Sequence, residues 1–120
     1  MYKRQVLDPV GDGVGAIWDP ANAFSEFGET PDDGAEALWS LVRHVHLKDM
    51  RRPTPPAAPF PWTPVLPGSG EFPARRVLEI LEARAYAGFV SFEWEKRWHP
   101  EIEEPDVALP HFVHWARSSR

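Results

Sequence analysis

Three short apolar runs, each giving way to a stretch with helical periodicity, constrain this chain more than any other feature. The runs are Val14 to Trp18, Arg43 to Leu47 and Phe89 to Glu93. Strands alternating with helices at this spacing form parallel pairs, because a right-handed crossover returns the chain to the same edge of the sheet. The expected fold class is therefore α/β, with parallel strands in the order β-α-β-α-β-α. Three such units alone leave open sheet edges with unpaired backbone groups. Either further strands lie upstream or another chain covers the edges; two copies would supply six strands and not the eight of a standard barrel, so missing upstream strands are the expected explanation.

The helical stretches carry their own signals. Thr30-Pro31-Asp32-Asp33 supplies a capping hydroxyl, a proline for the first helical position and acids facing the helix dipole. A helix is expected from there to about Val42, burying Ala35, Leu38, Trp39 and Val42 as one stripe. Pro73 opens a second helix, with Ala74, Leu78, Leu81 and Ala85 on one face and Gly88 as a left-handed cap. Pro105 starts a third, with Leu109, Phe112, Val113 and Ala116 on one face; Pro110 inside it implies a kink or a later start. Lys48 to Gly70 is rich in proline and lacks periodicity, so a long lid or binding loop is expected there.

Composition narrows the function classes. A chain of 120 residues normally folds as one small domain. Thirteen Lys and Arg against 18 Asp and Glu give a net charge of −5, without the basic field that nucleic acid needs. No apolar run approaches the ~20 residues of a membrane span. Cysteine is absent, which removes disulfides and thiolate chemistry and leaves oxygen and imidazole to hold any metal. Met1 to Gln5 fit nothing around them and resemble the translation of a transposon end used in sequencing libraries. They are expected to be a scar, with domain sequence from residue 6 to 120 and the parent chain continuing upstream.

Asp19, His46 and Glu93 stand at the ends of the three runs. Side chains alternate along a strand, so Gly15, Ile17 and Asp19 share a face, as do His44 with His46 and Phe89, Ser91 with Glu93. The opposite faces, with Trp18, Val45, Leu47, Val90, Phe92 and Trp94, are apolar and suit packing under helices. Taken singly, Asp19 suits a turn and His46 a hydrogen-bonded core histidine. Glu93 closing a run of Phe, Val and Phe is costly to desolvate unless it is paired, coordinated or exposed. Together they make a metal site, and two carboxylates with one imidazole suit Mn²⁺, Mg²⁺, Co²⁺ or Zn²⁺. Such an ion acidifies the proton between a hydroxyl and a carbonyl and stabilises the enediolate that results.

Ile17-Trp-Asp-Pro-Ala-Asn22, His44-Val-His-Leu-Lys-Asp49, Gly68-Ser-Gly-Glu-Phe72 and Tyr86 to Lys96 resemble the sugar phosphate isomerase/epimerase family of xylose isomerase-like TIM barrels. The likeness runs from about Val6 to Trp115 and covers the last three βα units of that (β/α)8 barrel. It implies that Asp19, His46 and Glu93 are metal ligands of the sixth, seventh and eighth strands, with Glu93 also an acid/base. A fourth ligand, a glutamate on the fifth strand, is implied upstream. It also implies that Arg52, six residues after His46, binds substrate oxygens, with Arg51 as its substitute in another loop register. Those epimerases, and the endonuclease IV branch, carry histidine where this chain has Asn22. The nuclease reading is weakened, and Asn22 becomes a candidate to hydrogen-bond a substrate hydroxyl.

Lys48 and Asp49 either orient His46 and meet substrate or form a solvated ion pair. Gly68 and Gly70 either bring backbone N–H groups to an anion or only turn the chain. Trp62, Trp94 and Trp98 are candidates for stacking on a sugar, Trp94 more naturally for packing; His99, His111 and His114 have no ligand-like context. The expected parent is a cytoplasmic, metal-dependent isomerase or epimerase of a small sugar or sugar phosphate, open to homo-oligomer formation, with this fragment inactive alone. The alternatives are a metal-dependent polyol dehydratase of the same superfamily and a non-catalytic metal- or sugar-binding remnant.

Overall fold

A computed structural model describes residues 2–56 and 59–118 of the chain. Its helices are α1 (Tyr2–Leu7), α2 (Pro20–Phe27), α3 (Pro31–Leu38), α4 (Ala74–Ala83) and α5 (Pro105–Arg117). Its strands are β1 (Ala16–Trp18), β2 (Val42–Leu47), β3 (Asp49–Arg51), β4 (Thr63–Val65) and β5 (Val90–Phe92). The three expected strands form one parallel sheet in the order β1-β2-β5. Ile17 pairs with His44, Val45 with Val90 and His46 with Ser91, so the expected faces are in register across all three strands. The Glu93 N–H donates to the Leu47 carbonyl at 2.9 Å, carrying the ladder one residue past β5 and fixing Glu93 at the sheet's end.

The apolar side of this sheet builds the core. Trp18, Val45 and Leu47 are buried with Ala21 of α2, Ala35 and Leu38 of α3, and Val77, Ile80 and Leu81 of α4. At about 25 cal/mol per Å² of apolar surface removed from water, this single-sided contact is the main force holding helices to sheet. The other side of the sheet carries Ile17, which remains 57% exposed, together with His44, His46 and Ser91. His44 Nε2 lies 2.7 Å from Ser91 Oγ, and its ring meets the His46 ring edge-on at 5.3 Å between centroids.

Several local expectations are corrected. Asp19-Pro20 does not only stop a strand: it starts α2, with Asp19 as the N-cap and Gly28 closing the helix at φ +68°. The helix from Pro31 ends at Leu38, and after a single 3₁₀ turn Val42 is already the first residue of β2. The stretch from Lys48 to Gly70 contains the antiparallel pair β3-β4 rather than loop alone. The left-handed residue after α4 is Ala85 at φ +51°, not Gly88. Gly88 instead lies against Tyr86: a Cβ there would meet the far end of its ring and hydroxyl, which would have to shift.

Helix faces are also rotated from expectation. Helix α4 buries Ala74, Val77, Ile80 and Leu81, while Ala85 is exposed beyond its end. Helix α5 starts at Pro105 and runs through Pro110 to Arg117, so the later start is not used. It buries Ala108 and turns Phe112 and Trp115 toward the core, leaving Leu109 and Val113 exposed.

Residues 1–5, expected from sequence to be a scar, fall partly within the described part. Within the described part, α1 begins at Tyr2, and Arg4 donates to the Ala37 carbonyl at 3.1 Å and to Asp8 at 3.3 Å. No helix of the described residues is long and apolar enough to cross a membrane.

Candidate metal centre

Each of Asp19, His46 and Glu93 projects from the C-terminal end of one of three adjacent strands, on the side of the sheet away from the helices. One oxygen of each carboxylate and one ring nitrogen of His46 lie within 4.8 Å of one another. All three side chains are half-buried, and His46 Nδ1 stands 3.9 Å from Glu93 Oε1. The residues read from sequence as a ligand set therefore converge.

Asp19 is held from one side. Asn22 donates its backbone N–H to Asp19 Oδ1 at 3.0 Å and its side-chain amide to Oδ2 at 2.9 Å. These contacts follow from the N-cap position, where a carboxylate naturally meets the N–H three residues on. Asn22 was expected to reach a substrate hydroxyl; here its amide N–H is engaged by Asp19. Burial pushes the Asp19 carboxyl above its ordinary range, with the adjacent Glu93 charge adding to the rise against the Asn22 and Lys48 contacts.

Lys48 is the residue that the sequence placed least well. It is not a solvated ion pair with Asp49 but a buried ammonium, 1% exposed. Its Nζ donates to Glu93 Oε2 at 2.6 Å and to Glu95 Oε1 at 2.6 Å, and stands 3.6 Å from Asp19 Oδ2. Burial alone would depress its pKa, but the hydrogen bonds it donates to Glu93 and Glu95 and the Asp19 charge hold it above the ordinary lysine value. Burial pushes Glu93 up in turn, and the Lys48 contact overcomes that and holds its carboxyl below the usual glutamate range.

Glu95 was not singled out, although a signal existed. It stands two residues after Glu93, and continued strand alternation places both on one side. His99, expected to lack context, is also buried and lies between Glu95 and Glu101, at 3.8 Å and 3.2 Å.

Asp49 turns inward elsewhere. Its carboxylate accepts the backbone N–H groups of Met50, Gly68 and Gly70 at 2.8 to 3.0 Å. The Gly68 and Gly70 N–H groups, read from sequence as either meeting an anion or only turning the chain, are satisfied by Asp49. Arg52 donates to Glu71 through its backbone N–H at 2.6 Å and its guanidinium at 2.9 Å, and lies 5.2 Å over the Trp62 ring. Trp62 packs edge-on against Phe24, and Trp94 donates its indole N–H to the Glu103 carbonyl at 2.9 Å. Trp98 is exposed, and His111 Nε2 meets the Pro67 carbonyl at 2.9 Å.

A family model described as xylose isomerase-like TIM barrel matches residues 4–116 of the chain. The chain belongs to the xylose isomerase-like TIM barrel family. That family includes sugar isomerases and epimerases, and metals are often used in it. Comparison with curated proteins finds no match, and neither does comparison with solved structures. The family's parallel strands and outer helices agree with the sheet and helices described above.

The donor set suits a divalent ion. Asp19, Glu93 and Glu95 set three carboxylates around one ammonium, a formal excess of two negative charges in a partly desolvated site. Oxygen and imidazole donors are those that hard and borderline divalent ions accept. The upward push on Asp19 comes first from burial, and the adjacent Glu93 charge adds to it.

Proposed function

We propose that the chain provides the last three βα units of a barrel that isomerises or epimerises a small sugar or sugar phosphate with a divalent metal ion. The observation that carries this reading is the convergence of Asp19, His46 and Glu93 donors within 4.8 Å at three neighbouring strand ends. In a parallel barrel that rim is where catalytic groups gather. Membership of a family that includes sugar isomerases and epimerases supports the same reaction class.

In this reading Asp19, His46 and Glu93 hold the ion. Once bound, it supplies Lewis acidity to a substrate hydroxyl and the adjacent carbonyl, lowering the cost of an enediolate. Glu93 moves the proton: Lys48 keeps its carboxyl ionised and so able to accept one. Asn22 fixes both oxygens of Asp19, and Lys48 fixes one oxygen of Glu93, so neither carboxylate reorients as substrate enters. Arg52, exposed at the β3-β4 hairpin, is the proposed contact for substrate oxygens.

Assays of the protein carrying the whole barrel test the proposal. EDTA should abolish sugar isomerisation, and Glu93→Gln should lower kcat by about a hundredfold or more while sparing the fold. Full activity under either condition overturns the mechanism. Release of water from a polyol, seen by product analysis, would assign the site to a dehydratase instead.

A further inference from the structure

Lys48 contacts two of the three candidate ligands and presents a problem for metal binding. An ammonium has three N–H donors and no acceptor, and it seeks the same carboxylate oxygens as a dication. Its Nζ is 2.6 Å from Glu93 Oε2 and 3.6 Å from Asp19 Oδ2. Drawn further toward Asp19, it would compete for the carboxylates that an ion would use. The residue that draws it aside is Glu95, whose Oε1 accepts from Nζ at 2.6 Å and which is not itself among the converging donors.

Glu95 is held in turn. His99 is 4% exposed, its Nε2 is 3.8 Å from Glu95 Oε2, its Nδ1 is 3.2 Å from Glu101 Oε1, and its ring packs on Phe60 at 4.8 Å. We propose that Glu95 is a positioning residue for the metal centre: it holds Lys48 beside Glu93 Oε2, keeping the ammonium out of the space shared by Asp19, His46 and Glu93. Glu93 Oε1, the oxygen facing His46, is thereby left for the ion. The inference rests on reading those three residues as a metal site.

Without the Glu95 charge, the strongest acceptors left to Lys48 are Glu93 and Asp19, and the ammonium then competes with the dication. Glu95 therefore acts through Lys48, and its effect should vanish when Lys48 is neutral. The test is a titration of the protein carrying the whole barrel with Mn²⁺ alone, followed by the electron paramagnetic resonance signal of free Mn²⁺ and carried to millimolar concentration. Four proteins are compared: wild type, Glu95→Gln, Lys48→Met and the double variant. Thermal melts by circular dichroism check folding.

Glu95→Gln should weaken Mn²⁺ binding about tenfold, the low end for loss of a residue that orients metal ligands. Lys48→Met should tighten binding, and Glu95→Gln should change it less than about threefold in the Lys48→Met background. Glu95→Asp keeps the charge but draws it back by one methylene, so it too should weaken binding, and it carries the test if Glu95→Gln does not fold. Equal losses from Glu95→Gln in both backgrounds, or no loss from either Glu95 variant, overturn the inference while leaving the metal site standing. A wild-type protein that takes up no Mn²⁺ overturns the metal-site reading and this inference with it.

Discussion

Asn22 donates to both oxygens of Asp19, its backbone N–H to Oδ1 at 3.0 Å and its side-chain amide to Oδ2 at 2.9 Å. The first contact belongs to the N-cap of α2; the second exists only because residue 22 is an asparagine. Cap and candidate ligand are the same carboxylate, so the start of α2 also positions Asp19 in the candidate metal centre. Asn22→Ala removes the side-chain contact and keeps the backbone one. Mn²⁺ affinity should fall by about tenfold, with stability changed by no more than about 1 kcal/mol. Calorimetric titration alongside urea unfolding separates the two, and an unchanged affinity would show that the amide does not orient Asp19.

Asp49 is predicted to be a stability residue and not a substrate contact. Replacing it by alanine leaves the N–H groups of Met50, Gly68 and Gly70 without their acceptor. The cost should be about 3 kcal/mol, allowing for water at the more exposed glycines, and the urea midpoint is the measurement.

The same carboxyl gives a pH signature. Burial raises its pKa above the ordinary 3.8 despite the backbone N–H donors that oppose it. A raised acid takes up its proton in the folded state first, so its contribution to stability grows as pH falls through the folded value and levels off below 3.8. Asp49→Asn lacks this proton. Between about pH 7 and about pH 4 the urea midpoint of wild type should therefore move upward relative to the Asn variant. A gap that stays constant, or moves the other way, contradicts the burial account.

Gly70 has a steric reason to be glycine. A Cβ there would collide with the Asp49 carboxylate and come within 2.5 Å of the Met50 carbonyl oxygen. Gly70→Ala should cost about 2 kcal/mol through forced displacement of that carboxylate. Gly13→Ala, where a Cβ meets nothing within 4 Å, should stay within about 0.5 kcal/mol. Thermal melts of the pair make the comparison.

Arg52 separates binding from stability. Its side chain is 69% exposed, and an exposed ion pair such as the one with Glu71 contributes little to folding. Arg52→Ala should leave the melting temperature nearly unchanged and, if Arg52 reaches substrate, raise KM with a small change in kcat. Unchanged KM for every sugar turned over would confine Arg52 to its contacts with Glu71 and Trp62.

The comparison of sequence with structure divides along the range of the interactions. Period-two alternation made the two sides of β1, β2 and β5 readable, because a strand has only two faces and burial selects one. The α2 start was also readable in principle, since Asp-Pro supplies an N-cap and a first helical residue as well as a turn. The β3-β4 hairpin was not: proline-rich segments lack periodicity, and its strands are short. Gly88 was misassigned because glycine serves both positive φ and close approach, and only the position of the Tyr86 ring distinguishes them.

By itself, the sequence determined the class of the fold, the three strand ends and the three residues Asp19, His46 and Glu93 that converge there. These follow from local rules that act within a few residues. The tertiary structure alone decided that Lys48 is buried among Glu93, Glu95 and Asp19, that Asp49 closes on Gly68 and Gly70, and that Arg52 pairs with Glu71. Charged side chains choose partners by distance and desolvation in space, and residues 19, 48 and 93 meet only after three parallel strands align.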